Sequence, residues 1–132
     1  MTNQKSDAQG KFAKRVFMIA AVYGIIVLLP QYFMETKIGQ DFPPPITHPE
    51  QYYGFIGVAL AWQALFLVIA RDPVRYRPAM LPAILEKLTF GVACIVLYIQ
   101  GRLSPMILGV GSLDLILAAL FMISYRVTPK QA

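Results

Sequence analysis

This chain of 132 residues predicts an all-α fold, a bundle of four transmembrane helices with both termini in the cytoplasm. Three observations carry that prediction. Four apolar stretches of about 19–23 residues follow one another, and a hydrocarbon core of about 30 Å takes about 20 helical residues to cross. Hydrophobic residues make up 57% of the chain, above the roughly 45–50% of a soluble domain. The basic residues gather at the ends of the apolar stretches, where they set membrane orientation. None of the stretches alternates apolar and polar residues as a membrane β-strand does.

The first stretch, Val16–Met34, follows a polar, lysine-bearing tail. A signal peptide also begins with basic residues before an apolar run, but no small-x-small cleavage site follows here, so an uncleaved span is expected. Pro30 bends or ends its outer part by removing an amide donor. The second stretch runs from about His48 to Ala70. Thr47, His48, Pro49 and Glu50 at its entry form a capping-box pattern with proline in the first turn. Arg71, Asp72 and Pro73 stop it. The third, Ala79–Ile99, begins among Pro78 and Pro82, which a first turn tolerates because its amide hydrogens are unpaired anyway. The fourth, Pro105–Tyr125, has Ser104 as N-cap and Pro105 at the first helical position. The chain thus divides into a cytoplasmic polar tail (1–15), a transmembrane domain (16–126) and a second cytoplasmic tail (127–132).

Orientation follows from the distribution of lysine and arginine. Lys5, Lys11, Lys14 and Arg15 precede the first span, Arg71, Arg75 and Arg77 follow the second, and Arg126 and Lys130 follow the fourth. The remaining two loops hold only Lys37 and Arg102. Both termini and the 71–78 loop are therefore expected in the cytoplasm. The 35–47 loop faces outward, with Tyr32, Phe33, Tyr52 and Tyr53 in the outer aromatic belt. The net charge of +5 carries no nucleic-acid footprint, because no basic face or basic run interleaved with aromatics is present. A single cysteine, Cys94, excludes an internal disulfide, a CxxC pair and a cysteine zinc cluster.

Three charges lie deep within apolar stretches: Glu86 and Lys87 in the third and Asp114 in the fourth. A charge at such depth is costly unless it is paired, reaches the interface or has a job. Lys87 lies about 12 Å from the cytoplasmic start of its helix and leans back toward it, so it can snorkel; Glu86 leans the same way with a shorter arm. Asp114 sits about 14 Å inside its helix and reaches neither interface. Ala83, Lys87, Gly91, Cys94 and Tyr98 share one stripe of the third helix, and Gly111, Asp114 and Ala118 one stripe of the fourth. Small residues on a stripe let membrane helices approach closely, so Lys87 and Asp114 both face the bundle interior. Gln63 and Tyr23, about 12 Å and about 10 Å into their spans, fall at a similar level. The expected ligand-binding candidates are therefore Asp114, Lys87, Glu86, Gln63 and Tyr23. The layer reads either as packing glue, a buried pair fixing helix register, or as a site for a proton or a cationic ligand that balances its excess negative charge.

Other features point to structure. His48 is the one histidine, which excludes a bis-histidine haem site within this chain. A metal held by His48, Asp41 and Glu50 competes with capping by Glu50, and no metal site is assigned. The run Phe42, Pro43, Pro44, Pro45 reads as a stiff connector whose length lets it fold over the outer mouth of the bundle. Cys94 is a small packing residue. The Arg71, Arg75 and Arg77 loop is a topology signal with anionic lipid contact as a secondary role.

Gly54, Phe55, Ile56 and Gly57, the turn Ala70, Arg71, Asp72, Pro73, the pairs Phe90–Gly91 and Gly101–Arg102, and intramembrane Asp114 resemble the DoxX-like group of four-helix bacterial membrane proteins over about Tyr52–Tyr125. The resemblance implies a four-helix bundle of the bacterial inner membrane, in a group mostly without assigned function and with some relatives linked to quinone-coupled oxidation of sulfur compounds. It assigns no catalytic residue. Small multidrug transporters place their key glutamate in the first span, where this chain has none, and vitamin-K-reductase-like bundles need paired cysteines.

The chain supplies no nucleophile, redox centre or metal set, so an enzyme is the least expected reading and no cofactor is called for. The function expected is a binding or accessory membrane component, as a subunit of a larger complex or a homo-oligomer. The alternative is a carrier or receptor for a small amphiphile such as a quinone, lipid or organic cation. The bilayer is the one partner required.

Overall fold

A computed structural model describes the backbone from Thr2 to Ala132 and the side chains of Ala8 and of residues 10–132. It has five α-helices and no strand among the described residues: α1 Thr2–Leu28, α2 Glu35–Asp41, α3 Pro49–Arg71, α4 Met80–Ile99 and α5 Pro105–Val127. Helices α1, α3, α4 and α5 are long and apolar enough to cross a membrane. Only 22–33% of each span is buried, so most of its apolar surface faces outward. Ile19, Ile26, Val58, Leu85, Ile99 and Ile116 are all more than half exposed, a surface that suits lipid and not water. The chain is a multi-pass membrane protein.

The helices run alternately up and down. Going round the bundle the order is α3, α1, α5, α4: α4 packs along α5, α1 lies against both α3 and α5, and α3 scarcely touches α4. The ring is therefore open on one side. Phe17, Phe66 and Phe121 centre the core, with Phe17 and Phe121 stacked at 4.1 Å and Phe66 edge-on to both. Ala13, Ala70, Met80 and Ile84 surround them. This cluster brings the start of α1, the end of α3, the start of α4 and the end of α5 to one end of the molecule. Lys11, Lys14, Arg15, Arg71, Arg75, Arg77, Arg126 and Lys130 gather there; Lys5 lies outside the residues whose side chains are described.

Local chemistry accounts for the helix ends. α1 gives way at Pro30 to a 3-10 turn over Leu29–Phe33, because proline lacks the amide hydrogen the next α-helical bond needs. Ser104 Oγ accepts from the Ile107 amide at 3.4 Å and caps α5, with Pro105 in the first turn. The α3 entry differs from the expected capping box. Pro49 is the first helical residue and His48 the N-cap, with no side-chain cap bond. That start shifts Glu50 one place too early to close a box from Thr47, and it lies instead 3.3 Å from His48 Nδ1. Asp41, the third residue weighed for an outer metal, pairs with Lys37 at 2.8 Å. Two further differences concern segments expected to lack structure. The basic tail continues α1 back to Thr2, and α2 occupies the first half of the outer loop. Pro45 rests on buried Gly39 of α2, so the proline run folds back on that helix.

Candidate functional site

The deep charges are brought together by the α4–α5 crossing. Gly91 and Gly111 meet there: a Cβ on Gly111 would lie 2.8 Å from Cys94 Sγ, and one on Gly91 would lie 2.6 Å from Leu115 Cδ2 and 3.0 Å from the Gly111 carbonyl oxygen. This close approach sets Lys87, one turn from Gly91, against Asp114, one turn from Gly111. Lys87 Nζ donates to Asp114 Oδ1 at 3.3 Å and lies 3.7 Å from Glu86 Oε2. The Phe66 ring, 5.4 Å from Nζ, covers the ammonium from α3. The Lys87 side chain is 5% exposed and that of Asp114 9%. Lys87 thus turns inward and does not snorkel. Leaving for the interface would strand Asp114 as an unpaired carboxylate in an apolar medium, which costs more than pairing.

Glu86 is placed differently. It shares the ammonium only as a second, longer contact, its side chain is 19% exposed, and its Oε2 has no hydrogen-bond partner among the described residues. Two carboxylates face one ammonium, and Glu86 is the one left over. It forms part of the wall of a cleft of about 310 Å³ on the open side of the ring. The cleft is lined by Phe55, Val58, Ala59 and Trp62 of α3 and by Glu86, Thr89 and Phe90 of α4. Phe55 and Phe90 stack across it at 6.1 Å. The Thr89 hydroxyl donates back to the Leu85 and Glu86 carbonyls, so Glu86 is the one charged group in the lining.

The other two expected members of the polar layer stand apart from this triad. Gln63 is buried and donates to the Ala59 carbonyl at 3.0 Å, while its Oε1 has no partner among the described residues. Its carboxamide packs onto Gly24 of α1, where a Cβ would collide with it. Gln63 therefore belongs to the α1–α3 contact. Tyr23 is half-buried and within electrostatic reach of Asp114, with no hydrogen bond to the triad among the described residues. The stripe on α4 is buried at Ala83, Lys87, Gly91 and Cys94 but not at Tyr98.

Three arrangements go beyond the sequence reading. The aromatic cleft lining was not singled out, although Phe55, Val58 and Trp62, and Glu86, Thr89 and Phe90, each recur at helical spacing on one face. Arg77 does more than mark topology: its Nε donates to the Tyr125 and Thr128 carbonyls at 3.0 and 2.9 Å, and its guanidinium stacks 3.8 Å from the centre of the Tyr125 ring. It thereby caps the C-terminus of α5, where the last carbonyls lack amide partners. At the opposite end Tyr53 donates to Glu35 Oε2 at 2.7 Å and Tyr52 to the Gln31 carbonyl, clasping the α1–α2 corner to α3. Tyr32 stacks on Tyr53, and Phe33 alone of that aromatic set is almost fully exposed.

Comparison with known protein families, with curated proteins and with solved structures finds no match to this chain.

Proposed function

We propose that this chain is a small intramembrane binding protein of the bacterial inner membrane, with its basic end in the cytoplasm, and that its site is the α3–α4 cleft. The ligand is a small amphiphile that enters sideways from the bilayer. One observation carries the reading: the ring of helices stays open where α3 and α4 barely meet, and that opening is aromatic with a carboxylate on its wall. Its volume of about 310 Å³ lies at the lower end of the roughly 300–1,000 Å³ of small-molecule sites, which combine apolar walls with few polar groups. The Lys87–Asp114 ion pair stands behind Glu86 and, being neutral as a pair, leaves Glu86 as the excess charge of the three. The orientation rests on the gathering of cations at one end, and the DoxX-like resemblance, carried by short sequence motifs, belongs to the same proposal.

The half-exposed rings and Val58 of the open side favour a second reading, in which a helix of another subunit covers it and the chain is an accessory part of a larger complex. Purification in mild detergent followed by native mass spectrometry separates the two. A bound small molecule that disappears in Ala59→Phe, which fills the cleft from within, supports the first. A co-purifying membrane subunit lost in the same variant supports the second. A chain that carries neither overturns both.

A further inference from the structure

We infer that the cleft selects amphiphiles bearing a single positive charge, an inference that rests on the cleft being the binding site. Glu86 and Asp114 together carry two acidic groups against the one ammonium of Lys87. The ammonium is committed to Asp114, at hydrogen-bonding distance and almost fully enclosed, and stands farther from Glu86. Glu86 Oε2 is turned in toward that ammonium, shut off from the cleft and without a hydrogen-bond donor among the described residues, so what Glu86 offers the cleft is its charge. A carboxylate whose charge is not matched at this depth is costly, and a cation held in the cleft against the Glu86 wall offsets that charge through the poorly screening medium without having to reach Oε2. A second cation would find no second carboxylate, since the rest of the lining is uncharged.

The walls fit the same class. Phe55, Trp62 and Phe90 line the cleft together with Glu86, Phe55 and Phe90 stacked on one another, and aromatic faces attract cations most strongly where water is excluded. An anion meets the opposite: a carboxylate and the negative faces of the rings, in a medium that screens poorly. A neutral amphiphile gains the apolar contact but leaves Glu86 unanswered. The cleft therefore discriminates by charge, not by shape.

Trp62 is the one tryptophan of the chain and forms part of the cleft wall, so its fluorescence reports occupancy. The test uses the full chain in phosphatidylcholine nanodiscs, with empty nanodiscs as the partition blank. Tetraphenylphosphonium and tetraphenylborate share size and shape and differ in sign of charge, and decylubiquinol serves as a neutral amphiphile. The expected result is a saturable change with the phosphonium alone, with affinity about tenfold or more weaker in Glu86→Gln, the loss of one charge–charge attraction in a poorly screening medium. If the borate or the quinol saturates as well as the phosphonium and Glu86→Gln changes nothing, the cleft stands as a site and the cation selectivity is overturned. If none of the three perturbs Trp62 saturably, the cleft reading itself falls, and this inference with it. Because the sign comparison is made on the unmodified chain, it does not depend on any variant folding.

Discussion

At the scale of single residues the bundle is organised by one buried bond. Lys87 and Asp114 each cost free energy to insert in an apolar medium and recover it from one another, so neither tolerates the loss of its partner. Asp114→Leu leaves the ammonium with only the longer Glu86 contact and the Phe66 ring, and is expected to destabilise the protein by about 3–5 kcal/mol. Lys87→Met combined with Asp114→Leu removes both charges and is expected to recover a part of that loss, since apolar replacement of a buried pair is often close to neutral while Glu86 is left without its ammonium. Unfolding in detergent monitored by circular dichroism measures both; a double variant as unstable as the single one would show that the pair is not the source of the effect. Asp114 and Lys87 were legible in the sequence because depth and small-residue stripes put both on inward faces. The direction of the Lys87 side chain stays open in the sequence, between snorkelling to the interface and pairing with Asp114, since the distance to a counter-charge on another helix is set only by the packing of the two. The Arg77 cap was hidden for the same reason: its acceptors lie 48 and 51 residues away.

At the scale of elements, the decisive contact is the α4–α5 crossing. Without a hydrophobic driving force between helices in lipid, close backbone approach is what holds them, and Gly91 and Gly111 allow it. A methyl on Gly111 meets the Cys94 side chain, a contact that, with Cys94 in place, forces the helices apart. Gly111→Ala is expected to cost about 1–3 kcal/mol, the usual range for overpacking, and adding Cys94→Gly is expected to return a part of it by vacating the space. A thermal melt of the two variants checks this; equal loss in both would place the strain elsewhere. The four spans and the caps of α5 were readable, since proline, serine and span length act locally. The α3 entry was misread by one residue because Pro49 starts the helix after Thr47. The cleft was not readable. The spacing of Phe55, Val58 and Trp62 is that of any lipid-facing stripe, and what makes it a wall is the missing contact between α3 and α4, a property of two helices together.

At the scale of the whole molecule, the two ends differ in charge. Eight of the described lysines and arginines lie at the end where the termini and the 72–79 segment meet, against Lys37 and Arg102 at the other. Short basic segments resist translocation, so the basic end is expected on the cytoplasmic side. Cysteine labelling in intact cells tests it, with a membrane-impermeant maleimide and Cys94, which is buried, as an internal silent control. Thr47→Cys, at the opposite end and exposed, is expected to react in intact cells, and Arg75→Cys, exposed in the basic segment, only after lysis. The reverse pattern would invert the orientation while leaving the fold intact. Labelling of both positions from outside would be a deeper failure. The two positions flank α3, a single apolar helix of 23 residues, and about 20 helical residues suffice to separate the two faces of a bilayer. Their labelling must therefore differ in sign whichever way the bundle points, and the experiment tests α3 as a span before it tests which side the cations choose.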